Sequence, residues 1–567
     1  MKKFYFCAFL LAFQQFSSQA TAIIWQKNLH SEAQDLLSGT TATIDRQILL
    51  TGSSIQAQTT LTANKTNKGY DYHVIKMDQN GAVLWDKYFG GNQHDYLVSA
   101  VVTMDGGFFL TGTSFSGQSG DKKVNNLGGS DIWMLRLNEN GEELWQKTVG
   151  TTSNDEAAMA VETAGGGFFV TGSINSNQDL FGSKDVFISR LDKNGKLVST
   201  TVLGGSALDE VQEMTATPDG GSLVVIYSNS ASNADKFISG SDENTSASAK
   251  GISRKSENLS EDLFVSLRSQ NSHLQDKPNH SRIFGKTTEN FGHGDFWVVK
   301  LDRTAKIEWQ KSFGGTKDDR PKTIDFTNTG YLIGGESRSS ASGNKKENIE
   351  DGTDLWLIAL DKDGNELWQK TYNFGNRDVL MSANVIRKTN RENFSEDQGF
   401  LLGGYTQAEN KIEKDDEKFW MLYVNTEGKE QWRKYVEGKS KKKEERLIDA
   451  KLQSDGTFLL AGTSAEELGQ ENWKILKLGD KDLDNLIEKQ DIKIYPNPTT
   501  DYCYVEIGFE FTGEAQILLH DMSGRLVHTL KTKNAITRIN TSKLPQGAYI
   551  VTTNTENKKL NTKIIKR

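Results

Sequence analysis

The stretch Asp131-Ile-Trp-Met-Leu-Arg-Leu137 passes through Asn140-Gly141 into Leu144-Trp145-Gln-Lys147, and a little later comes Gly165-Gly-Gly-Phe-Phe-Val-Thr-Gly172. The first run is a β-rich segment of strand length, and the second returns alongside it. Asn-Gly suits the tight turn between them because both residues tolerate positive φ. Between the two quoted parts, Glu156–Thr163 alternates apolar and polar residues, and the turn Ala164–Gly166 leads into Phe168–Gly172. That is a second hairpin. No helical period of apolar residues competes with this reading. One unit is therefore four antiparallel strands.

The unit recurs. The same order runs from Asp71 through Trp85 to Gly112, and from Asp354 through Trp368 to Gly404. The tryptophan of the fourth strand falls at Trp25, Trp85, Trp145, Trp309, Trp368 and Trp432, with Ser199 standing in once; successive spacings are 60, 60, 54, 110, 59 and 64 residues. Four-stranded sheets repeated at this period pack radially as a β-propeller. The expected fold is all-β, a seven-bladed β-propeller of four-stranded blades over 23–478, with a small Ig-like β-sandwich after it.

The ends of the repeat fix its closure. Ile23-Ile-Trp-Gln-Lys27 is a fourth strand with no partners before it, and the last unit stops at the third strand, Asn472–Leu478. Pairing the two closes the ring and removes exposed edges. The long interval between Ser199 and Trp309 could hold an eighth blade, since Asp262–Leu267 reads as a third strand. Only about a dozen residues separate Asn271 from Ile283, too few for the missing strands at ~3.3 Å per residue. Seven is the better count, and 229–292 is expected to be a mobile Ser/Asn/Lys-rich insertion.

Turns within hairpins are short, whereas connections from second to third strand are long: 54–70, 114–130, 336–353 and the insertion. Strand alternation puts all of these on one rim. That looped face is the expected interaction surface, because binding residues concentrate on variable loops held by a rigid scaffold.

Chemistry is sparse. The tryptophans are expected to pack between blades, with ligand stacking as the alternative. Asp95, Asp155, Asp209, Asp318 and Asp378 follow the Gly-Gly step and are expected to cap turns; a calcium role is the alternative, although no Asp-x-Asp-x-Asp-Gly loop is present. Asp361-Lys-Asp-Gly-Asn-Glu-Leu-Trp368 resembles a sialidase Asp box with one residue too many between Gly364 and Trp368, and also the tryptophan-docking stretch of quinoprotein propellers, without that family's cofactor site. The eight histidines lack metal-ligand spacing, and there is no nucleophile elbow, phosphate loop or Cys–His pair. No catalytic, cofactor or metal residue is assigned.

Residues 1–22 read as a secretory signal: Lys2 and Lys3, an apolar core from Phe4 to Phe13, and Ala20-Thr-Ala22 as the cleavage site. No other apolar run would span a membrane. Cys503 is the one cysteine beyond the leader, so it has no disulfide partner within the chain and is expected to be buried. A net charge of −8 argues against nucleic-acid binding.

After a charged connector at 479–490 the composition changes. Tyr495-Pro496-Asn497-Pro498 opens a compact β-rich segment, with the turn Asp521-Met-Ser-Gly524-Arg525, the step Leu544-Pro545-Gln-Gly547-Ala-Tyr549, and a basic end at Lys566-Arg567. In this order the motifs resemble the type A C-terminal sorting domain of type IX secretion cargo in Bacteroidota, over 491–567. The resemblance implies a small β-sandwich read by the outer-membrane translocon after transit of the periplasm, with the cargo released or held on the cell surface. The repeat unit also looks like those common in secreted and surface proteins of that phylum. The expected function is that of a non-catalytic module binding a glycan or protein through the looped face. The alternative is a secreted polysaccharide hydrolase or lyase with carboxylates in a central pocket.

Overall fold

In the computed structural model the described residues are 22–29, 35–55, 69–175, 181–232, 280–389, 395–407, 418–436, 444–465, 472–487, 491–499, 501–509 and 511–567. The leader (all but Ala22) and the third-strand-like Asp262–Leu267 lie outside them. Among the described residues seven sheets lie between Ala22 and Gly479 and two more follow. They are numbered here by their spans: sheet 1 (35–89), sheet 2 (95–149), sheet 3 (154–204), sheet 4 (209–313), sheet 5 (319–372), sheet 6 (377–436) and sheet 7 (444–479).

Each sheet runs in sequence order outward from its first strand. First strands of consecutive sheets touch, and that of sheet 7 touches that of sheet 1, so the sheets stand in a closed, propeller-like ring. The ring is sealed by the N-terminal strand Ala22–Leu29, which pairs antiparallel with Asn472–Gly479 as the fourth strand of sheet 7. Third strands such as Asp131–Leu137 and Asp295–Leu301 are buried at every residue, because both faces of each sheet pack on neighbours. Every first strand slips register at the same place, between Leu37 and Gly39, Leu97 and Ser99, Val211 and Glu213, and their equivalents, and that of sheet 6 slips again between Ile386 and Arg387. A bulge increases local twist, which a strand nearest the axis of a ring requires.

The tryptophans interlock neighbouring sheets. Trp85, Trp145, Trp309 and Trp368 each lie over the third-to-fourth-strand turn glycine of the next sheet, namely Gly141, Gly195, Gly364 and Gly428. These glycines have φ between +70° and +78°, and a Cβ on them would meet the indole at 2.7–3.2 Å. Trp25 makes the same step across the ring closure, its Nε1–H donating to the Gln79 carbonyl at 3.0 Å. The expected packing role therefore holds. Where Ser199 replaces the tryptophan, the glycine is also lost: Ala305 occupies the turn at φ +64°. There the Thr201 hydroxyl donates to the Ala305 carbonyl at 2.8 Å, and sheet 3 gains a fifth strand, His280–Gly285, parallel to Leu197–Gly204. Residues 280–285 thus differ from the expected mobile insertion, of which 233–279 lies outside the described residues.

The connector carries a helix, Lys481–Leu486, capped by the Asp480 carboxylate. Its Leu483 and Leu486 enter the core between sheets 6 and 7 with Ile386 and Leu447. Beyond it, a three-stranded sheet (492–495, 502–507, 536–540) packs on a four-stranded one (526–532, 515–521, 547–554, 559–566) around Val505, Leu519, Ile539 and Val551. Cys503 belongs to that core, and burial pushes its thiol up to about 12.

Candidate functional site

The ring presents two unlike faces. Hairpin turns crowd the plain face, where a third-strand cation holds the turn carboxylate of its own sheet: Lys76 with Asp45 at 2.8 Å, Lys300 with Asp219 at 2.8 Å, Lys477 with Asp455 at 2.7 Å, and Arg136 with Asp105. The C-terminal segment docks here. Arg46 pairs with Glu506, Arg538 pairs with Glu139, and the Tyr504 hydroxyl reaches Glu139 at 3.2 Å while lying against Gly106. A cleft of about 650 Å³ remains between them, lined by Arg46, Gln79, Asp455, Glu506 and Asn534 among others.

Within that segment the motif residues fall into three groups. Tyr495 ends the strand Ile492–Tyr495, its ring 6.0 Å from that of Tyr504. Asn497 clamps the last strand, donating to the Lys563 carbonyl at 2.9 Å and accepting from the Ile565 N–H at 2.9 Å. The Arg567 N–H donates to the Thr499 carbonyl at 2.9 Å, so Pro496, Pro498, Lys566 and Arg567 share one end of the sandwich. Gly524 supplies φ +85° in a turn whose Asp521 accepts from the Ser523 hydroxyl, which foremost holds the carboxyl down at about 2, and from the Ser523 and Arg525 N–H groups, which add to it. Leu544 packs on the core, and Tyr549 ties the Pro545–Gly547 corner through its hydroxyl to the Pro545 carbonyl at 2.7 Å.

On the looped face, buried aspartates open the first strands. Asp95 accepts from Gly91 N–H at 2.7 Å and from the Ser116 hydroxyl at 2.9 Å; Asp209 binds Gly205 and Ser230 in the same way. Asp155 and Asp378 cap Thr151 and Phe374. In sheet 5 the capping residue is Asp319, on Gly315 N–H at 2.7 Å, and not Asp318. Asp318 instead accepts from the Tyr227 hydroxyl at 2.6 Å and pairs with Arg320 at 2.7 Å. Asp319 keeps the spacing of the other units, four residues after Gly315 as Asp95 is after Gly91, and Asp318 is the acid directly before it.

Sequence reasoning missed a companion to these caps. Lys122, Lys286 and Lys345 are buried, and burial lowers each ammonium pKa against the pull of two flanking aspartates. Lys122 donates to the Ser114 hydroxyl at 2.6 Å and the Ser116 carbonyl at 2.7 Å, and Lys286 repeats this with Ser228 and Ser230. The signal was present as Ser-x-Ser-x-x-Ser-Gly-x-Lys-Lys at 114–123 and again at 337–346.

Carboxylates also meet on the inner strands. Glu213 of sheet 4 accepts from Ile324 N–H of sheet 5 at 3.0 Å, and Asp449 of sheet 7 accepts from Thr40 N–H of sheet 1 at 2.8 Å. Lys451 stands 3.6 Å from Asp449. Burial pushes Glu213 up to about 7, Lys451 opposing the shift and Asp325 and Asp449 adding to it. Each carboxylate stitches one sheet to another.

A Ser–His–Asp chain runs through sheet 1. Ser54 Oγ lies 2.7 Å from His73 Nδ1, and His73 Nε2 lies 2.9 Å from Asp86. The hydroxyl end is fully buried while Asp86 is the exposed end, the reverse of what an attacking nucleophile needs. His73 is held besides by stacking on Tyr88 at 4.1 Å.

These features define an all-β protein of propeller-like form with a two-sheet segment docked on its plain face. Residues 493–567 match the family described as the secretion system C-terminal sorting domain. The segment is thus a type IX sorting signal, and the chain is exported by that route to the cell surface or beyond it. No helix among the described residues is long and apolar enough to cross a membrane. No curated protein matches the chain. Among solved structures it is similar to the WD40 domain of Neurospora crassa Pan2 (8% identity, 80% of this chain and 96% of that one, TM-score 0.40). It is also similar to polysaccharide lyase Uly1 (8%, 79% and 89%, 0.39) and to a protein of unknown function from Dyadobacter fermentans (7%, 82% and 100%, 0.36).

Proposed function

We propose that this exported chain is a non-catalytic binding module, a seven-bladed β-propeller over 23–478 that meets a glycan or protein through its looped face. The sandwich at 491–567 is read as Ig-like, with 479–490 as the connector and Tyr495–Pro498, Gly524, Leu544–Pro545, Gly547, Tyr549 and Lys566–Arg567 as the residues that carry the address to the translocon. One observation carries the choice of face: the sorting segment occupies the plain side through Arg46–Glu506 and Arg538–Glu139, which leaves the looped side free of that segment among the described residues. Deleting 116–129, the loop between second and third strands of sheet 2, should abolish retention on a glycan or surface-protein array. Unchanged retention overturns the assignment. For export, a chain lacking 491–567 should accumulate in the periplasm, and normal appearance outside the cell would refute the address.

A second reading, a polysaccharide hydrolase or lyase, draws on Glu213, whose pKa of about 7 beside Lys451 suits general acid–base work. Turnover of any polysaccharide that disappears in Glu213→Gln, with binding intact, would establish it.

A further inference from the structure

The looped rim of sheets 5 and 6 concentrates positive charge in a chain whose net charge is −8. Glu336, at the end of a second strand, is 5% exposed and faces Lys322, Arg377, Arg320 and Arg338 at once. It pairs with Arg377, at 3.9 Å. Two of the cations have further work: Arg320 pairs with Asp318 and covers the Tyr227 ring at 4.5 Å, and Arg338 donates to the Thr353 hydroxyl at 3.2 Å. The others do not. Lys322 is exposed with no ion partner among the described residues, and the Arg377 Nε–H, though buried, has no acceptor there. Four cations thus stand against two carboxylates, Glu336 and Asp318, with donors to spare.

The ring places a different chemistry elsewhere on the same rim. Tyr96 directly follows the buried Asp95, as Arg320 directly follows the buried Asp319, so the two occupy equivalent positions in sheets 2 and 5. Three steps of a seven-membered ring put them on opposite sides of the axis. His94 and Tyr96 lie parallel at 5.6 Å and 7°, and Phe115, 38% exposed, stands edge-on to Tyr96 at 6.4 Å. A backbone bond from Tyr70 N–H to His94 Nδ1 at 3.2 Å orients the imidazole. Between the two sites, Glu156 and Glu210 are both tied to Lys184, at 2.8 and 2.9 Å.

We propose that this rim binds an anionic glycan, its carboxylate or sulfate groups held by Arg320, Lys322 and Arg377 and its sugar faces by the His94–Tyr96–Phe115 rings. The proposal rests on the looped-face reading above and names its ligand. Guanidinium groups bind carboxylate and sulfate oxygens in paired fashion, and open aromatic faces suit the C–H face of a pyranose. An acidic peptide would use the cations and leave the rings idle. A nucleic acid would require a longer uninterrupted basic stripe.

The full chain should be run in affinity gels containing polygalacturonate, dextran sulfate, neutral dextran or poly-L-glutamate. Retardation by polygalacturonate or dextran sulfate is expected, weakening as salt rises, and about tenfold or more weaker in R320A/K322A. Whichever of the two retards the chain identifies carboxylate or sulfate as the recognised group. Tyr96→Ala should weaken the glycan gels as well. Lys322→Glu alone, at an exposed side chain, serves if the double variant does not fold. Equal retardation by neutral dextran, or by polyglutamate as strongly as by the glycans, overturns the anionic-glycan assignment and leaves the looped-face reading standing. Retardation that persists in R320A/K322A but is lost on deleting 116–129 also overturns it. Binding that survives both changes overturns the looped-face reading itself.

Discussion

The indole of Trp309 lies across Gly364 of the following sheet, donating its Nε1–H to the Lys362 carbonyl at 3.2 Å, with 2.9 Å between the ring and the point where a Cβ would stand. Shape and conformation constrain the same residue, since Gly364 also has φ +78°. Gly364→Ala should therefore destabilise the ring by about 1–3 kcal/mol, from αL strain and from overpacking together. Its counterpart Ala305 already sits at φ +64°, and Ser199 stands where the tryptophan of the preceding sheet would be. Ala305→Gly should fall within about 1 kcal/mol of the parent. Urea midpoints of the two variants test the contrast, and equal losses would break it.

The N-terminal strand makes a second prediction. Ala22–Leu29 covers the edge of Asn472–Gly479, and Trp25 reaches the next sheet. A chain begun at residue 35 should expose that edge and associate through it. Size-exclusion chromatography should show oligomers or aggregate where the longer chain runs as one species.

The repeat was legible because one local pattern, an apolar strand followed by a Gly turn and a fourth-strand Trp, recurs near sixty residues, and because Ile23–Lys27 and Asn472–Leu478 are complementary halves of one unit. What escaped was non-local or off the repeat. His280–Gly285 pairs parallel with a strand some eighty residues earlier, and no local pattern announces a partner at that distance. Asp318 and Asp319 are adjacent acids, and only the four-residue step from Gly315, matching Gly91 to Asp95 and Gly205 to Asp209, singles out Asp319 as the cap. The cation group draws on Lys322, Glu336 and Arg377, at positions where the other units carry unrelated residues, so no periodicity marks it.

Acidity provides a third test. Burial raises Asp155, Asp295 and Asp378 from 3.8 to about 7 in the folded chain. Between those values the folded state keeps protons that the unfolded state releases, so unfolding liberates protons and stability falls as pH rises from about 4 to 7. Each group contributes at most ~1.4 kcal/mol per pH unit within that window. Asp155→Asn keeps an acceptor for the Thr151 N–H and removes one titration, so it should flatten the slope. Urea midpoints across that range check the sign, and stability rising with pH would contradict it.

The last prediction concerns the docked sorting segment. Glu506 is 6% exposed, and burial raises its pKa while Arg46 opposes the shift. Removing Arg46 leaves a buried carboxylate with a weaker counter-charge, which costs more than an exposed pair would. Arg46→Glu should therefore loosen the segment from the plain face and speed hydrogen exchange in Tyr502–Ile507 and Ile536–Asn540, the sheet that faces the ring. Adding Glu506→Arg restores opposite charges at the same contact and should recover protection, with a coupling of about 0.5–3 kcal/mol if the two side chains act as one unit. The strands Gly547–Asn554 and Lys559–Lys566, on the far sheet, should exchange alike in all three chains. Protection unchanged by Arg46→Glu would mean that the pair contributes nothing to docking. Loss in both sheets together would mean instead that the substitution unfolds the sandwich.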